Sequence, residues 1–156
     1  MKVKIIIIAV LLLTISFVGC VEEEVTIEQL KTKLLSFGGV SVDQDEYETM
    51  FLDRLYKDGM LYNTNNYEMI LLSEENLGLC HPKSYLLYEN NTEIELCNGY
   101  ALGFKGDEFV WVRHSWCSYE NKLFETQYEY QLYYGIELTE KEIEVFYEYY
   151  AGGGIE

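Results

Sequence analysis

The stretch "TEIELCNGYALGFKGDEFVWVRHSWC", Thr92 to Cys117, decides the fold. Two aromatic and β-branched runs, "TEIELCNGYALGF" and "EFVWVRHSWC", flank "KGDE", and turn residues between two such runs signal a hairpin. Strand alternation groups Val110, Val112, His114 and Trp116 on one face; Phe109, Trp111, Arg113, Ser115 and Cys117 take the other. Downstream, "YENK" turns into "LFETQYEYQLYYGIEL", enough for a third strand and a fourth. The period changes at Thr139, which with Glu142 forms a capping box that opens a closing helix, "EKEIEVFYEYY".

Upstream of the hairpin the pattern is helical. In "TIEQLKTKLLSFGG" Thr26 is the N-cap and Gln29 completes a capping box. Ile27, Leu30, Leu34 and Leu35 form the apolar stripe, and Gly38-Gly39 ends it. In "DEYETMFLDRLYKDG" Asp45 serves as a cap, and Tyr47, Met50, Phe51 and Leu55 fall at helical spacing up to Gly59. "NTNN" reads as a turn, and "YEMILLSEENLG" suits helix and strand equally. The expectation is one α+β domain over residues 26–150. N-terminal helices pack on an antiparallel sheet drawn from roughly residues 93–138, and a C-terminal helix closes it. Residues 151–156 are read as a loose tail.

The start of the chain has another character. Lys2 and Lys4 precede the apolar run Ile5 to Val18, followed by "GC", which is the order of a secretory signal. "FVGC" resembles a lipobox, in which Cys20 would be lipidated; Phe17 departs from the usual leucine. The alternative is an uncleaved anchor over residues 1–19. In both readings residues 20–25 are an acidic spacer, and the domain lies on the extracellular side of the cell membrane. The formal charge of −16 leaves nothing to neutralise phosphates, so nucleic acid is excluded as a partner, and membrane contact is expected through the N-terminus alone.

Apart from Cys20, the cysteines are Cys80, Cys97 and Cys117. Outside the cell an odd number leaves one thiol over. A three-residue hairpin loop puts Cys97 opposite Cys117, ready for a disulfide. A two-residue Gly106-Asp107 loop puts them on opposite faces. Cys80 stands in "LCHPKS", where Pro82 suits the first turn of a helix, so the thiol lies at or just before a helix N-terminus that favours its anion. By itself such a cysteine is more often structural. His114, on an apolar, tryptophan-flanked strand face, is desolvated toward the neutral form that suits a general base. Across the "YENK" turn Glu125 is placed to orient that histidine, with Gln127 of the same parity as the alternative orienter. A zinc set of Cys80, His81, His114 and Cys117 is disfavoured, because the spacing of "HSWC" points its ends opposite ways on a strand. No metal or cofactor is expected. Asn90-Asn91-Thr92 is a glycosylation sequon at Asn90, in a surface turn.

The order of cysteine at a helix start, histidine on a following strand and acid on the next resembles the transglutaminase-like and cell-wall-amidase branches of the papain-like superfamily. That resemblance implies Cys80 as nucleophile, His114 as base and Glu125 as orienter; glutamate replaces the more usual aspartate. The pattern "CHPKS … NGYALGF … WVRHSW … FETQ … YYGIEL", spanning about Gly78 to Leu138, also resembles an uncharacterised family with "CH", "GYA", "HSW", "ET" and "YYG" motifs. The function expected is an exported thiol acyl-transferase or amide hydrolase acting on a peptide-like or cell-surface substrate. The competing expectation is a non-catalytic lipoprotein binding module, in which the chain's 15 tyrosines and 2 tryptophans furnish a recognition surface.

Overall fold

The computed structural model describes residues 24–43, 50–63, 65–72 and 79–152. The signal or anchor over residues 1–19, the lipidation at Cys20, most of the spacer, the caps and stripe residues Asp45 and Tyr47, and the tail beyond Gly152 lie outside the described residues. Among the described residues no helix is long and apolar enough to cross a membrane.

The domain is α+β. In chain order the elements are α1 (Ile27–Phe37), β1 (Ser41–Val42), α2 (Leu52–Asp58), β2 (Met60–Asn63), β3 (Glu68–Leu71) and α3 (Cys80–Glu89). They continue with β4 (Glu95–Lys105), β5 (Glu108–Tyr119), β6 (Lys122–Glu125), β7 (Leu132–Glu137) and α4 (Glu140–Phe146), which runs into a π-turn at Tyr147–Ala151. The strands form one sheet in the order β2-β7-β4-β5-β6-β3, with β1 beside β5.

The hairpin that fixes the fold closes at Lys105 and Glu108, with Gly106 at φ 68° supplying the left-handed turn residue. It is therefore the two-residue loop that is used. Cys97 pairs with Trp116 and Cys117 with Leu96, so the two cysteines face opposite sides of the sheet. The Cys97–Cys117 disulfide is ruled out by this parity, and both residues are thiols.

The antiparallel expectation holds for the central strands and needs correction at the margins. β1 runs parallel to β5 and β3 parallel to β6, so the sheet is mixed and draws on residues well before Glu93. The ambiguous "YEMILL" segment is β3. Its short strand takes its partner from more than fifty residues away, and local periodicity carries no trace of that pairing.

The two faces of the sheet are covered differently. On one side Leu30 and Leu34 of α1, Leu55 of α2 and Phe146 of α4 pack against Leu96, Tyr100, Trp111, Tyr134 and Ile136. The other side gathers Tyr62, Cys97, Ala101, Trp116, Leu123, Tyr130 and Tyr133. Both capping boxes form: the Gln29 N–H donates to Thr26 Oγ1 at 3.3 Å, and the Thr139 N–H donates to Glu142 Oε2 at 2.8 Å. Glu142 also pairs with Arg54, which ties α2 to α4. Leu35, expected in the apolar stripe, is exposed. The second helix starts only at Leu52, because Phe51 sits at φ 59° and breaks the turn before it.

Gly99 and Gly135 face each other across β4 and β7. A Cβ on Gly135 would lie 2.5 Å from the Trp116 ring, so the glycine in "YYG" is required by close packing of an indole on the strand. The site on β5 thus has a rigid floor beside it.

Candidate active site

β5 pairs with β4 along its whole length, but its other edge is covered only in part. β1 reaches Val110 and Trp111, and β6 reaches Cys117, Ser118 and Tyr119. Between them, from Val112 to Trp116, the described residues give the edge no strand partner, and the first turns of α3 pack there instead. Ser84 Oγ donates to the Ser115 carbonyl at 2.9 Å, and Cys117 Sγ donates to the Ser84 carbonyl at 3.2 Å. A helix start therefore plugs a break in the sheet edge, satisfying backbone that would otherwise be buried without partners.

This placement brings Cys80 to His114. Cys80 is the first residue of α3, with Pro82 in its first turn as the sequence requires, and only 7% of its surface is exposed. His114 is fully buried and lies among aromatic rings, with centroids 4.6 Å away for Tyr130, 6.0 Å for Tyr133 and 6.3 Å for Trp116. Its Nε2 contacts Glu125 Oε2 at 2.8 Å. Glu125, with no exposed surface, is satisfied on both oxygens. Oε1 accepts the backbone N–H groups of Thr126 at 2.7 Å and Gln127 at 2.9 Å, and Oε2 also accepts the Tyr133 hydroxyl at 3.0 Å. A carboxylate held by two amides and a phenol stays fixed where the imidazole needs it. Glu125, not Gln127, is the group on the histidine; Gln127 contributes its amide to the Glu125 cradle.

With Nε2 taken, Nδ1 is the ring nitrogen left for the thiol. It makes no hydrogen bond of good geometry, and charge is the larger part of its interaction with Cys80. The contact still governs ionisation. Burial alone would push the Cys80 thiol up, but the charge and hydrogen bonding of His114, helped by His81, overcome it and hold the pKa at about 5. Burial likewise pulls His114 toward its neutral form, and the charges of Cys80 and Glu125 outweigh that and raise it to about 10. The expectation of a neutral imidazole is thus corrected: two flanking anions override desolvation, and the pair rests as thiolate and imidazolium.

The other cysteines behave oppositely. Cys97 lies 3.4 Å from Ser118 Oγ inside the sheet, and burial drives its pKa far up; burial raises Cys117 to about 12. His114 and Cys117 face opposite sides of β5, which removes the basis of a shared zinc site, and among the described residues no three His, Cys, Asp or Glu side chains converge to hold a metal. Asn90 caps the end of α3, exposed, with its Nδ2 on the Leu86 carbonyl at 2.7 Å.

Several members of the site are not among the residues expected from the sequence. Ser84 lies one helical turn from Cys80, a spacing that already puts both on one face. Tyr130 and Tyr133 pack on the imidazole, and Tyr130 also lines a surface hollow of about 490 Å3 with Glu129, Gln131 and Leu132. No local pattern marks those tyrosines among so many others. Comparison of the chain with protein-family models, curated proteins and solved structures gives no match.

Proposed function

We propose that the protein is a cysteine-nucleophile enzyme of acyl transfer or amide hydrolysis, carried outside the membrane by its N-terminal segment and acting on a peptide-like substrate. The observation that carries this reading is the assembly of Cys80 against His114, with the far nitrogen of that ring held 2.8 Å from a buried, fully cradled Glu125. A binding module has no use for a buried ion pair centred on a thiol, and such pairs are costly to keep.

In the reaction the Cys80 thiolate adds to the acyl carbon and the carbonyl electron pair moves to oxygen. The tetrahedral species collapses, the amine leaves, and the His114 imidazolium gives that amine its Nδ1 proton. A thioester on Sγ remains. Neutral His114 then takes a proton from water, or from an acceptor amine, as that nucleophile attacks the thioester. Collapse returns the electron pair to Sγ, and thiolate and imidazolium are restored. Glu125 keeps Nε2 protonated throughout, so that Nδ1 alone exchanges protons with the reacting groups. The cysteine-at-helix-start, histidine-strand, acid-strand order supports kinship with the transglutaminase-like and papain-like enzymes.

The test is turnover of peptide and cell-wall amide libraries by the full chain, with hydroxylamine trapping of the thioester. The expected rate is bell-shaped in pH, rising as Cys80 ionises near 5 and falling as His114 deprotonates near 10. Absence of any acyl adduct on Cys80, across substrates and pH, would sink the reading.

A further inference from the structure

A second histidine adjoins the nucleophile, and its surroundings are directional. Arg113 Nη2 donates to Asn98 Oδ1 at 2.7 Å, which fixes the amide so that Asn98 Nδ2 donates to Ser115 Oγ at 2.9 Å. With that donor received, the Ser115 hydroxyl proton is directed to its other close neighbour, His81 Nδ1, at 2.6 Å. An imidazole that accepts at Nδ1 carries its proton on Nε2. The ring is also clamped by stacking, with centroids 4.5 Å from Tyr150 and 5.8 Å from Phe146. The whole relay is buried: Asn98 and Ser115 have no exposed surface and Arg113 has 9%.

We infer that His81 is a second imidazole of the active site, locked by the Arg113–Asn98–Ser115 relay as an Nε2–H donor that stabilises the negative charge on Cys80 Sγ. This rests on the thiol-enzyme reading and adds to it a group with a different task. His114 exchanges protons with the reacting atoms; His81 holds the nucleophile's charge in place. Arg113 thereby has a role, although its guanidinium Nε and Nη1 lack hydrogen-bond partners in a buried layer. That costly placement is offset by polarising a chain of donors that ends at His81, the residue next to the thiol in the chain. Among the described residues the titratable groups acting on Cys80 are His114 from β5, His81 from α3 and Tyr130 from the β6–β7 connection, with Glu125 behind His114.

The experiment follows alkylation of Cys80 by iodoacetamide against pH in the full chain, read by mass spectrometry, with circular dichroism as a check on folding. His81→Phe keeps the aromatic clamp and removes the donor, so the midpoint should rise by about one unit, a tenfold loss of thiolate on the acid limb. Ser115→Ala leaves the ring in place but unlocks its tautomer, and should move the midpoint the same way by less. His81→Gln, which retains an N–H donor, should recover part of the shift. A purely structural His81 would lower thermal stability and leave the midpoint where it is. An unchanged midpoint in both His81→Phe and Ser115→Ala, while His114→Ala moves it, overturns the inference and spares the enzyme reading. A wild-type thiol that titrates like an ordinary cysteine overturns both.

Discussion

The break in the β5 edge and the paired interior of the same sheet each hold cysteine, and they treat it in opposite ways. Cys97 and Cys117 stand on strands whose backbone is already bonded, surrounded by apolar and aromatic side chains, and burial raises both thiols. Cys80 is almost as buried, yet its pKa falls to about 5. Burial therefore does not decide reactivity here. The difference is that the edge brings α3's first turn to His114 and His81, while at Cys97 and Cys117 burial dominates and no cation acts to lower the thiol. One anion without a counter-charge is expensive to bury, and one matched by an imidazolium is not.

The sharpest way to break the comparison is His114→Ala. Cys80 would keep its burial and lose its main counter-charge. Its pKa should climb by about three units or more, to that of an ordinary or suppressed thiol, and acyl transfer should fall at least about a thousandfold. Burst kinetics with an activated ester would measure both. Glu125→Ala comes next. It leaves His114, Tyr133 and two backbone amides without their shared acceptor, and should cost about 3–5 kcal/mol in urea unfolding.

Gly135→Ala tests the floor of the site. The added methyl meets the Trp116 ring and should cost about 1–3 kcal/mol, with the Cys80 midpoint little changed. Smallest of all, Cys117→Ala in the paired interior should lose about 1 kcal/mol of stability and no activity. If that variant instead abolished turnover, the distinction drawn between edge and interior would be wrong.

Much of this was legible in the sequence, for identifiable reasons. The hairpin and the two capping boxes are local signals, complete within a few residues of "KGDE", Thr26 and Thr139. Cys80, His114 and Glu125 could be picked out because a proline marks the helix start and strand parity sorts the rest. The short strands β1, β2 and β3 were not legible, since two to four residues carry no period and their partners lie far along the chain. Nor was the direction of the His114 shift, because it depends on two anions meeting one ring in space. The part played by His81 stayed hidden for the same reason: its partner Ser115 is 34 residues away, on the face of β5 opposite His114.

One thiol of the domain, Cys80, is held as an anion by its position. The direct measurement is the pH dependence of alkylation at each cysteine of the folded full chain, resolved by mass spectrometry. The account predicts that Cys80 reacts with a midpoint near 5 and stays reactive into the alkaline range, while Cys97 and Cys117 remain unmodified until the protein unfolds. A Cys80 midpoint at about 8.5, where unperturbed cysteine titrates, or equal labelling of all three thiols in the folded state, would contradict it.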